Sequence, residues 1–223
     1  MEHATQIYYL IAVSFIVYFI ISFAYKTLNL RNIEGALLIK KGLLLINLKH
    51  ILGILLFGIL FYLIIPEYRF LINSIEIPKL NIVLLILVIV LTSGFLSFTS
   101  VKKKLKDKTE RSQYKSSQGW IYFIIRLIFL FSYEFFFRGV LLFTLIDTYG
   151  LTIAIIICTS LYVLIHAFDT RAEIIGAIPF GIILCLFSYF TNSIWAAFII
   201  HITLSGIYEV SMFKHLTLKT NKS

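Results

Sequence analysis

Glu134 and Arg138 stand four residues apart in Glu134-Phe135-Phe136-Phe137-Arg138-Gly139, inside an apolar stretch that runs from Trp120 to Ile146. A charged side chain in hydrocarbon costs at least ~2.5 kcal/mol, so two of them together ask for a use. His166 and His201 also fall in apolar segments. A buried carboxylate with two imidazoles can bind a water and take its proton. Glu134 with Arg138, Tyr162 with His166, and His201 with Ser205 are all i, i+4 pairs, each sharing one face of a helix. The same Glu134, His166 and His201 also make a two-histidine, one-carboxylate donor set for zinc. No H-E-x-x-H is present, so zinc-assisted and metal-independent activation of water both stay open. The plain alternative is an ion pair that neutralises itself and two hydrogen-bonded core histidines.

Such residues need a scaffold, and the composition names its solvent. The chain has 223 residues, of which 60% are hydrophobic and 14% charged, and its mean hydropathy is +0.94. Soluble domains are about 45–50% apolar, so this is an integral membrane protein. Seven segments are long enough to cross a ~30 Å hydrocarbon core. They are Ile7 to Tyr25, Leu43 to Ile65, Leu80 to Phe98, Trp120 to Ile146, Leu151 to Ala167, Ile174 to Phe190 and Ile194 to Val210. Asn47, Lys49 and His50 interrupt the second, which is expected to begin near Ile51. The first lacks a basic leader and a small-residue cleavage site, and reads as a retained helix. The expected fold is all-α, a single polytopic bundle of about seven transmembrane helices. It divides into N-terminal helices and a basic loop (1–117), the helices carrying the candidate site (118–210), and a tail (211–223).

The net charge of +9 belongs to loops between apolar segments and points to anionic lipid rather than nucleic acid. Lys102, Lys103, Lys104, Lys106, Lys108, Arg111 and Lys115 crowd the link between the third and fourth segments. Lys26, Arg31, Lys40 and Lys41 fall on the same side, as do Lys214, Lys219 and Lys222. This bias predicts a cytoplasmic C-terminus, an outside N-terminus and residence in the cell membrane. Cys158 and Cys185 match no disulfide or zinc-finger spacing and read as packing residues. Arg126 is expected to pair or snorkel near the cytoplasmic end, and Asp147 to cap the outer end of its helix.

Helical rise places these groups in depth. With a turn at Thr148 to Gly150, Glu134 lies ~21 Å and His166 ~24 Å below it. His201, ~13 Å below a turn at Thr191 to Ser193, needs a dipping connection to join them.

Three motifs in order resemble the CAAX-protease and bacteriocin-processing (CPBP, or Abi) family, which includes the type 2 CAAX prenyl endopeptidases. The E-E-x-x-x-R motif is approached by Tyr133-Glu134-Phe135-Phe136-Phe137-Arg138, F-x-x-x-H by Tyr162 to His166, and H-x-x-x-N/D by His201 to Ser205. Glu173, seven residues after His166, and the glycine beyond also suit the family. The resemblance covers about residues 118 to 210. It implies an intramembrane endopeptidase, commonly labelled a metalloprotease, in which Glu134 and His166 hold and deprotonate a water and His201 stabilises the oxyanion. Arg138, Tyr133, Tyr162, Ser205 and Glu173 would support them. Implied substrates are membrane proteins or lidated peptides of CAAX, bacteriocin or pheromone type, in contact with a bilayer whose cytoplasmic face is anionic.

Tyr133 departs from the first glutamate of the motif, and lies about 100° around the helix from Glu134. Ser205 departs from the amide or carboxylate of the third. Either Glu134 takes over the missing role or the protein is an impaired homologue serving as scaffold or regulator. A proton-coupled transporter would also use buried Glu, Arg and His, but the segments show no repeat of the kind transporters carry.

Overall fold

The computed structural model describes residues 2–74, 77–105, 112 and 114–218. Lys106, Lys108 and Arg111 of the basic loop and Lys219 and Lys222 of the tail lie outside them. Seven helices are long and apolar enough to cross a membrane, as the hydropathy predicts. We number the helices α1 (Glu2–Thr27), α2 (Ile33–Leu38), α3 (Gly42–Ile64), α4 (Phe70–Asn73), α5 (Leu80–Leu105), α6 (Gly119–Tyr149), α7 (Leu151–Ile165), α8 (Arg171–Thr191) and α9 (Trp195–Leu218). Outward-facing side chains such as Ile16, Leu63, Leu91, Ile121 and Ile175 are exposed and apolar, as contact with lipid tails requires.

Two boundaries differ from the sequence expectation. Helix α3 begins at Gly42 rather than near Ile51, because Asn47 and His50 face the bundle interior and are buried. The expected tail continues as helix through Leu218, where Met212, Phe213 and Leu216 pack beneath α2.

Helix α2 closes the basic end of the bundle. Its Ile33, Ala36 and Leu37 form one apolar face at i, i+3, i+4 spacing and are buried against Ile46, Tyr122 and Phe213. Asn32 caps it by accepting from the Gly35 amide at 3.1 Å.

Helices α3 and α6 approach closely. A Cβ on Gly53 would strike the Phe129 ring, and one on Gly58 the Ser132 side chain. Both helices widen into π-turns, Ile54–Ile59 and Phe135–Leu141, where Phe57 stacks on Phe136 with centroids 4.3 Å apart. Within the second π-turn the Phe137 carbonyl accepts from Cys158 Sγ at 3.1 Å. Cys158 and Cys185 are free and buried, as packing residues should be.

At the opposite end, Pro66–Tyr68 and α4 fold back into the bundle and receive the α8–α9 turn. The Ile194 amide donates to Leu71 O at 3.1 Å, Ser193 Oγ to Leu71 O at 3.2 Å, and Trp195 Nε1 to Ile72 O at 2.8 Å. Ile194 and Leu71 flank Gly139, each 3.5 Å from the point its Cβ would occupy. Gly139 is ten residues inward from Tyr149, so this turn sits ~15 Å below the end of α6. Asp147 accepts from Tyr68 OH at 3.5 Å at that same end.

Candidate functional site

The sunken turn brings His201 to Glu134. From the Gly139–Ile194 contact, Glu134 lies five residues down α6 and His201 seven residues down α9, ~7.5 and ~10 Å respectively. Nδ1 of His201 hydrogen-bonds Glu134 Oε1, and the other carboxylate oxygen lies 3.4 Å from Arg138 Nε. Glu134 and Arg138 are wholly shielded from solvent. The dipping connection that the depth argument required is thus supplied by the Leu71 and Ser74 carbonyls.

His166 ends α7 on a tight turn, His166–Phe168. Its Nδ1 lies 2.8 Å from the Tyr162 carbonyl, which can only accept, so Nδ1 carries the proton and Nε2 keeps its lone pair. The Tyr162 ring touches both histidines, with centroids 4.5 Å from His166 and 6.4 Å from His201. Arg138 lies over the same ring at 4.2 Å.

A cavity of about 700 Å³ runs from these groups to the basic end of the bundle. Tyr133, Tyr162, His166, His201 and Ser205 line it, while Glu134 and Arg138 stand behind its wall. Glu134 therefore serves His201 rather than sharing a water with His166, a correction to the role expected of it. The cause is rotational: Tyr133, one residue earlier, takes the cavity-facing position. Its ring is 5.9 Å from that of His201, and its buried hydroxyl has no hydrogen-bond partner.

Glu173 also differs from expectation. It closes a capping box with Thr170, accepting from that residue's amide at 2.9 Å, and lies 3.7 Å from Lys104. It caps α8 at the cavity mouth and anchors neither histidine.

The sequence reading missed a second polar group farther down the cavity. Arg126 pairs with Glu209 at 2.8–3.2 Å, and Tyr122 donates to Glu209 Oε2 at 2.8 Å. Glu34 of α2 binds both Lys104 and Tyr208. The signal for Glu209 was its eight-residue spacing from His201, two turns along the same face. Asp169, beside His166 in sequence, is held with its carboxyl pushed up to about 6 by burial and by Glu173, against the pull of Lys49, Arg126 and Arg31.

Zinc fits this arrangement poorly. Both Glu134 oxygens are engaged, each histidine's Nδ1 is taken, and among the described residues no three His, Cys, Asp or Glu side chains form a metal-holding group.

Residues 115–207 match the family model of the type II CAAX prenyl endopeptidases, Rce1-like. The matched helices are those of a CAAX protease. No curated protein and no solved structure matches the chain. The matched span contains Glu134, Arg138, His166 and His201, so the family resemblance and the buried constellation fall on the same helices, α6 to α9.

Proposed function

We propose that this protein is an intramembrane endopeptidase in which His201, oriented by Glu134, activates water for attack on a peptide carbonyl. The observation that carries this reading is the buried Glu134–His201 pair at the inner end of a cavity walled by the Rce1-like helices.

Arg138 and Glu134 cancel each other's charge, so a resting His201 that is neutral adds no net charge to the hydrocarbon. With Nδ1–H directed at Glu134, its Nε2 lone pair is left for the cavity. A water held between Nε2 of His201 and Nε2 of His166 loses a proton to His201 as its oxygen bonds the carbonyl carbon. Glu134 then faces an imidazolium, the arrangement of an acid–base dyad. The unpartnered Tyr133 hydroxyl donates to the oxyanion. Collapse breaks the C–N bond, and the His201 proton passes to the leaving amine. This assigns oxyanion stabilisation to Tyr133 and the base to His201, with no step routed through a metal.

Substrates are membrane-associated peptides, prenylated CAAX or bacteriocin- and pheromone-type chains, entering from the basic end. We place that end in the cytoplasm of the cell and the N-terminus outside, on the lysine bias of the loops. Cleavage of a library of lipidated and unlipidated peptides, by wild type and by the Glu134→Gln, His166→Ala and His201→Ala variants, with and without chelator, tests the proposal. Cleavage lost in Glu134→Gln and His201→Ala but indifferent to chelator is expected. Tyr133 at the first motif position favours a second reading, an impaired homologue acting as scaffold. Folded wild type that binds lipidated peptides but cleaves none would establish it.

A further inference from the structure

Three polar residues on α3, outside the family match, remain unexplained: Asn47, Lys49 and His50. Lys49 lines the cavity with Tyr18 and Ile46, and its Nζ lies 5.9 Å from the rings of Tyr18 and Tyr25. Among the described residues no carboxylate is within ion-pair distance of it. The other cavity cations are committed, Arg126 to Glu209 and Lys104 to Glu34. His50 also lines the cavity, stacked on Phe129 with centroids 4.9 Å apart, and its buried Nδ1 has no hydrogen-bond partner.

An ammonium group held in a membrane cavity without a counter-ion, beside an unused ring nitrogen, is a costly arrangement unless an anion joins it. Asp169 is the nearest opposing charge that acts on Lys49, and burial holds back its ionisation. Carboxylate and phosphate both suit such a site. Its position inside the cavity shared with His201, away from the lipid-facing surface, favours a group carried by the peptide itself.

We propose that Lys49 and His50 form a subsite for the free C-terminal carboxylate of the substrate. This rests on the peptidase reading and deepens it, because a fixed C-terminus sets where the chain is cut. His50 packs between Phe129 and Tyr122 of α6, five and twelve residues below Glu134. That is roughly 8–18 Å of helix, room for about three to five residues of extended peptide. The released product is then a short C-terminal peptide.

The test uses S-farnesylated peptides identical except for a C-terminal acid or amide, measured for cleavage by wild type and for binding to the Glu134→Gln protein in neutral detergent. The acid is expected to bind about tenfold more tightly than the amide. Lys49→Gln should bring the two together, raising KM for the acid with little change in kcat, and Lys49→Arg should retain the preference. Equal binding of acid and amide by protein with native Lys49 overturns the subsite, whatever the variants do. Equal peptide binding together with phosphatidylglycerol binding that Lys49→Gln removes would assign the site to a lipid headgroup and also overturn it. An acid preference without cleavage by wild type would uphold the subsite while the peptidase reading fails; cleavage without preference would do the reverse.

Discussion

Helices α6 and α9 are tied together twice, eight residues apart on each, and the two ties are built differently. At the basic end Arg126 grips Glu209 through two nitrogens and Tyr122 completes the carboxylate's shell. Midway along, His201 takes one oxygen of Glu134, while Arg138 stands 3.4 Å from the other with its guanidinium nitrogens otherwise lacking hydrogen bonds. A saturated pair has nothing left to offer a reactant. The under-satisfied one keeps spare donors and a spare imidazole nitrogen, the condition of a site that completes its bonding only when substrate and water arrive.

The largest effect should come from the central tie. Glu134→Gln and His201→Ala are each expected to lower kcat/KM at least ~10³-fold, with the double variant little worse than either, as for residues acting as one unit. Additive losses in peptide cleavage would break the dyad.

Next comes Tyr133→Phe, which removes a hydroxyl and no volume. Loss of one oxyanion donor predicts a drop in kcat of about 10²-fold with KM unchanged. Unchanged kcat would remove Tyr133 from the chemistry.

The basal tie should behave as structure. Glu209→Ala strands a buried guanidinium and is expected to cost about 3 kcal/mol in thermal or denaturant unfolding, whereas Arg126→Met with Glu209→Leu should regain most of it and keep cleavage within tenfold of wild type. A double variant that is stable and inactive would move this pair into the catalytic machinery.

The smallest expected effect is at Asp169. Its carboxyl titrates near about 6 when folded, above the ordinary value of 3.8, so between those limits the folded state holds more protons than the unfolded one. Stability should therefore fall as pH rises from about 4 to 6. Asp169→Asn should flatten that slope, stabilise the protein above pH 6 and change nothing at pH 4, as read by melting temperature.

All seven spans, the turns at Gly150 and Asn192, and the buried carboxylate and histidines were legible in the chain, because a membrane demands ~20 apolar residues per crossing and makes every charge within them conspicuous. Helix α2 was partly legible in Ile33, Ala36 and Leu37, but its brevity hid it among loop lysines. What the one-dimensional pattern determined was which groups are buried. Which of them meet was decided by the tertiary structure: a turn drawn ~15 Å inward by the Leu71 carbonyl set His201 against Glu134, and a rotation of one residue gave the cavity to Tyr133. Depth along a helix follows from counting residues. The level at which two helices join, and the face each turns inward, depend on hydrogen bonds and side-chain fit between segments more than a hundred residues apart.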